Sequence, residues 1–208
     1  LYLLLPTALN GTYTAPLWQF ITFTQNLAMR PGETFTHSWS LCVEEQFYLL
    51  FPLICIFALS KTANAVRLWI IIGSGFITAI LILAVMFNTH SGSTINIMDY
   101  YEFIYYPSYA RFDELLPGIA IALVKNYHQS TFEKLLRYGN RMFVAGLISS
   151  GVVFYLFLNI HYQDGVGTNV WTTSLGYSLL AISFSLLVLA SLSQTCWLYH
   201  WKIPGAAN

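Results

Sequence analysis

The sequence predicts an all-α fold, a polytopic integral-membrane bundle of about five complete helices with partial ones at its ends. Three observations predict it. Of 208 residues, 56% are hydrophobic and only 9% charged, and mean hydropathy is +0.58; soluble domains carry about 25% charged residues. Five stretches, roughly 39–60, 67–87, 110–127, 142–160 and 173–193, have the length and apolarity of spanning helices, for which about 17–25 residues are needed. The charges between them alternate in sign from loop to loop.

Taken in chain order, Leu1–Leu5 reads as the tail of a further helix. Residues 17–29 are apolar but interrupted by Gln19, Gln25 and Asn26, which suits a re-entrant or interfacial helix better than a crossing. The loop after the first full span carries Lys61 and Arg67 and no acid, whereas 88–109 carries Asp99 and Glu102 and no base. Lys125, Lys134, Arg137 and Arg141 then face Glu133 alone, 161–172 has only Asp164, and Lys202 ends the pattern. The positive-inside rule therefore places 61–66, 125–141 and the C-terminus in the cytoplasm, and 6–38, 88–109 and 161–172 outside. The 110–127 stretch is the weakest span, being short and opened by charges.

Two charge clusters interrupt the apolar segments at similar depth. Glu44 and Glu45 fall roughly 6–9 Å into a helix entering from the outer face. There an acid costs about 2.5–3.5 kcal/mol at mid-membrane unless it has a partner or a task. Helical spacing sets Glu44 on one face with Ser40, Phe47 and Tyr48, with His37 a turn outward, and sets Glu45 with Leu41, Leu49 and Pro52. In the second cluster Arg111, Glu114 and Gly118 share a face, and Asp113 points elsewhere with Pro117. A Glu44–Arg111 pair across the bundle is the expectation; a network that only sets helix register is the plainer reading.

The other polar features read blandly. His37 sits among Thr34, Thr36 and Ser38, an N-cap setting, and His90, His128, His161 and His200 fall in loops or ends, where solvation is the default. Tyr100, Tyr101, Phe103, Tyr105, Tyr106 and Tyr109 suit an interfacial aromatic belt, with a stacking platform for sugar rings as the sharper alternative. Cys42 and Cys55 share one helix about 19 Å apart and with Cys196 read as small apolar filler. No grouping has metal-ligand spacing. Zero net charge and a pI near 7.1 argue against a nucleic-acid partner. The apolar start without methionine and the stop just after an aromatic segment read as two cut ends of a single domain.

Trp39-Ser40-Leu41-Cys42-Val43-Glu44-Glu45-Gln46-Phe47-Tyr48-Leu49 through Pro52 resembles the signature of the membrane acyltransferase-3 family, W-S-L-x-V-E-E-Q-F-Y-L-x-x-P. Arg111-Phe112-Asp113-Glu114-Leu115-Leu116-Pro117-Gly118 resembles the family's R-x-D segment, and Thr22-Phe23-Thr24-Gln25-Asn26-Leu27 the loop before the first motif. The resemblance implies a multi-pass enzyme of the bacterial inner (plasma) membrane. Its donor would be acyl-CoA, commonly acetyl-CoA, and its acceptor a hydroxyl of a surface glycan such as lipopolysaccharide O-antigen, peptidoglycan or exopolysaccharide. It implies catalytic roles for Glu44, Arg111 and Asp113, and a substrate-facing surface of Ser40, Tyr48, Glu45 and His37. The family's catalytic histidine lies on a first helix that would precede Leu1, so these 208 residues alone are expected to be inactive. The alternative from residue types is a transporter or flippase fragment for lipid-linked glycans, using its buried carboxylates as a proton relay.

Overall fold

A computed structural model describes residues 12, 14–27, 29–59, 64–90, 97–163 and 167–200. Its described part is helical, apart from one two-residue antiparallel pairing of Tyr162–Gln163 with Gly167–Thr168. Four helices are long and apolar enough to cross a membrane: Thr36–Phe57, Ala65–His90, Gly139–His161 and Thr172–Ser191. The chain is a multi-pass membrane bundle. The expected helical tail at 1–5 lies outside the described residues.

The chain enters through a short helix, α1 (Leu17–Ile21), and a 3-10 turn, Gln25–Leu27. The expected single interfacial helix is thus a helix and a turn folded back onto the bundle. Phe23 sits between them at φ 53°, a left-handed backbone that costs a bulky residue about 1–3 kcal/mol. A 3-10 turn, Thr36–Ser38, leads into α2 (Trp39–Leu59), and α3 (Ala65–His90) returns.

The next segment departs most from expectation. Short α4 (Ile97–Tyr100) runs into a π-helical turn, Tyr101–Tyr105, then 3-10 turns at Ser108–Ala110 and Phe112–Leu115, and only then α5 (Leu116–Tyr127). The span expected over 110–127 is therefore a 12-residue helix with a 3-10 lead-in, together rising about 26 Å. Pro107 ends one turn, and Pro117, in the first turn of α5, starts the next because it has no N–H to offer a preceding turn. Irregular backbone at membrane depth is tolerated only where protein surrounds it. Tyr100, Ile104, Tyr106, Pro107 and Ala110 are accordingly buried.

After α6 (Gln129–Leu136), α7 (Gly139–Leu156) ends in a π-helical turn, Phe157–His161. A third π-helical turn, Thr172–Gly176, opens α8 (Tyr177–Ser191), which packs along α7. Gly146 makes that approach possible: a Cβ there would lie 2.7 Å from Leu187 Cδ2 and 3.1 Å from the Ser183 carbonyl oxygen. One core cluster joins α2, α3 and α5 through Phe47, Ile72, Leu116 and Leu123, and another sets Leu83 against Tyr100, Ile104 and Ala110.

Candidate functional site

Gln46, two turns into α2 on its packed face, fastens three distant segments together. Its Nε2 donates to the Phe23 carbonyl and, at 3.0 Å, to Asn26 Oδ1. The Asn26 amide, fully buried, in turn donates to the Tyr106 carbonyl at 3.0 Å and to Ser108 Oγ at 2.8 Å. The strained Phe23 backbone is thereby held by a hydrogen bond from the helix it precedes. An exposed ion pair, Arg30–Glu102 at 3.6 Å, spans the same two segments and contributes little by comparison.

Just beyond that junction lies a buried polar centre built around Arg111. Its Nε donates to the Tyr105 carbonyl at 2.9 Å and its Nη1 to Glu114 Oε1 at 2.8 Å. The guanidinium carbon lies 3.5 Å from the centre of the Tyr177 ring, 4.4 Å from Tyr105 and 5.8 Å from Trp39, so aromatic faces replace the water the cation has lost. Asp113, also buried, accepts a short hydrogen bond from Ser178 on α8. The Tyr100 and Tyr177 hydroxyls lie 3.1 Å apart. Burial holds the Tyr100 phenol well above its ordinary value, with Tyr177 adding to the effect and Arg111 opposing it. Burial likewise raises Tyr105 against the pull of Arg111. Both tyrosines are therefore neutral hydrogen-bonding groups at any physiological pH.

Two atoms of this centre, Arg111 Nη2 and Asp113 Oδ1, are buried without a hydrogen-bond partner among the described residues. An unsatisfied buried polar group costs about 1–3 kcal/mol, so such a cluster marks where a ligand or ordered water belongs.

Measured against expectation, Arg111 and Asp113 occupy the centre and Glu44 does not pair with Arg111. The partner of Arg111 is Glu114, one turn along its own segment. Glu44, Glu45, Ser40, Tyr48 and His37 are all exposed on the described bundle. The packed face of α2 is instead Trp39, Cys42, Val43, Gln46 and Phe47. The reason is physical. With α2 apolar almost all round, periodicity alone does not choose its inward face; the hydrogen bonds of Gln46 do. His37 lies in the turn before α2 with its ring 6.1 Å from Phe35, and Tyr48 stands edge-on to Phe47 at 6.3 Å.

Two further expectations change. Tyr105 packs on Arg111, and Tyr100, Tyr101 and Tyr106 pack against it, with Tyr100 and Tyr106 buried, where an interfacial aromatic belt was expected. His161, read as a solvated loop residue, is half-buried at the end of α7, 5.3 Å from Tyr100 and 6.3 Å from Tyr177, ring centre to ring centre. The polar run Thr172-Thr173-Ser174 at the mouth of an apolar span was the available signal that α8 serves this centre.

On the other side of α5 an apolar cleft of about 600 Å³ lies between α2 and α3, lined by Phe47, Leu50, Ile71, Phe112 and Leu116, with Gln46 at its polar edge. Among the described residues no group of acids, histidines and cysteines is arranged to hold a metal.

Comparison with known proteins adds one relative. Over 90 residues the chain is 40% identical to a Haemophilus influenzae protein described only as uncharacterized. The match takes in 43% of this chain and 35% of that protein's length. No family model matches the chain, and no solved structure does.

Proposed function

We propose that the chain is the helical bundle of an O-acyltransferase, moving an acyl group, acetyl in the first instance, from acyl-CoA to a hydroxyl of a cell-surface glycan across the bacterial inner membrane. One observation carries the reading: the three segments that resemble acyltransferase-3 motifs, far apart in sequence, meet at one place. Gln46 of the first motif binds Phe23 and Asn26 of the second, and Trp39 lies against Arg111 of the third. A register-setting network alone does not require the orphaned Arg111 Nη2 and Asp113 Oδ1.

In such a reaction the acceptor oxygen attacks the thioester carbon, its proton passes to a base, and the CoA sulfur leaves with a proton. Arg111 Nη2 supplies a preorganised donor for the negative charge that develops on the thioester oxygen. Asp113 holds the acceptor hydroxyl, and the apolar cleft accepts an acyl or lipid chain. Glu44 and Glu45 face outward from α2 at a depth where bare acids are costly, which suits contact with a further segment that carries the base. The general base is assigned to no residue of this chain. The charge alternation of the loops places the donor side at 61–66 and 125–141, with the acceptor outside.

The test uses the full-length membrane protein with labelled acetyl-CoA and glycan. Arg111→Met is expected to cut turnover more than tenfold with membrane abundance intact; turnover at the wild-type level overturns the reading. The transporter alternative has one observation in its favour, the broken segment 108–127, since discontinuous helices line transporter sites. Proton-coupled glycan uptake into vesicles without acyl transfer would establish it instead.

A further inference from the structure

Three π-helical turns occur among the described residues, Tyr101–Tyr105, Phe157–His161 and Thr172–Gly176. All three converge on the Arg111 centre. Tyr105 comes from the first, Phe157 and His161 from the second, and Thr172 and Thr173 from the third. A π-helical turn is rare and is frequently found at functional sites. Here the second brings His161 out of the α7 register and in among the rings of Tyr100, Phe157 and Tyr177.

The hydrogen bonds around His161 favour one tautomer. The Thr172 hydroxyl donates to the Asn169 carbonyl at 3.1 Å. Its one proton spent, Thr172 Oγ1 accepts from His161 Nδ1, 3.0 Å away. In that arrangement Nδ1 carries the proton and Nε2 is left as an acceptor.

We infer that His161 is a ligand-contacting residue of this centre, its Nε2 accepting a hydrogen bond from a hydroxyl of the acceptor. The inference rests on the acyl-transfer reading and deepens it by naming the ligand chemistry. The unpartnered atoms of the centre are a donor at Arg111 Nη2 and an acceptor at Asp113 Oδ1. Glu114 already neutralises Arg111, which disfavours a phosphate or carboxylate ligand. A neutral polyol, whose hydroxyls both give and accept, satisfies the set; a sugar ring is the natural case. None of the three resembled motifs contains His161, Thr172 or Thr173.

Three substitutions in the full-length protein separate the possible roles. Gln places an amide where Nε2 stands, Asn places one where Nδ1 stands, and Phe keeps only the ring. Steady-state acyl transfer is measured against both donor and acceptor, with melting temperature in detergent as the control for packing. His161→Phe and His161→Asn are expected to raise the acceptor KM about tenfold and leave the donor KM unchanged, while His161→Gln retains most acceptor affinity. Retention by Phe assigns the residue to packing and overturns the inference, as does retention by Asn, which assigns it to Nδ1 and Thr172. Should His161→Phe fail to accumulate, Thr172→Val, which removes only the hydroxyl that sets the tautomer, is expected to weaken the acceptor and not the donor. A wild-type protein inactive in acyl transfer removes the function reading itself; an active one with the wrong variant pattern removes only the role of His161.

Discussion

Gln46 shows how one side chain decides an orientation that hydrophobicity leaves open. Replacing it with Leu keeps the volume and deletes the amide, leaving Asn26 Oδ1 and the Phe23 carbonyl without the donor they now share. The expected loss is about 1–3 kcal/mol, seen as a lower melting temperature in detergent. Glu45→Gln, on the exposed face, is expected to change that temperature far less. Asp113 and Ser178 form a second such pair, 65 residues apart in sequence. A double-mutant cycle of Asp113→Asn and Ser178→Ala should show coupling of about 0.5–3 kcal/mol. Additivity would mean that the contact holds nothing.

Among the helices, the α7–α8 contact depends on a small residue at its closest point. Gly146→Ala drives a methyl into Leu187 and toward the Ser183 carbonyl oxygen, an overpacking worth about 1–3 kcal/mol of destabilisation. Gly151, on the same helix, has nothing within 4 Å of its would-be Cβ. Gly151→Ala is therefore expected to be neutral or to stabilise by up to ~1 kcal/mol through helix propensity. Thermal melts of the two variants side by side check the contrast. Equal effects would mean that α7 and α8 do not meet at Gly146.

For the whole bundle, the charge pattern makes a statement that the fold alone does not. Thr131 on α6 is exposed, and so is Ile97 at the start of α4. Cysteine introduced at 131 is expected to react with an impermeant maleimide only when the inner face is opened, and cysteine at 97 in intact cells. The same labelling on both sides would refute the alternation. That arrangement requires the segment through α5 to cross although its regular helix has only 12 residues. The segment 100–113, with Tyr100, Ile104, Tyr106, Ala110, Arg111 and Asp113 buried, supplies the missing depth by filling the outer end of the bundle with protein.

What the sequence determined by itself was the solvent and the class. An apolar excess with few charges has no stable form in water, and spacings of about 20 residues allow little besides membrane helices. It also marked Arg111 and Asp113 as charges that need partners at such depth. Only the tertiary structure decided which partners. Glu114 pairs with Arg111 in place of Glu44, Ser178 reaches Asp113 from α8, and His161 is drawn inward from an apparent loop. Those outcomes depend on how nearly uniform apolar helices rotate about their own axes. In lipid that rotation is set by a few buried hydrogen bonds and close glycine contacts, which become visible only when distant segments are brought together.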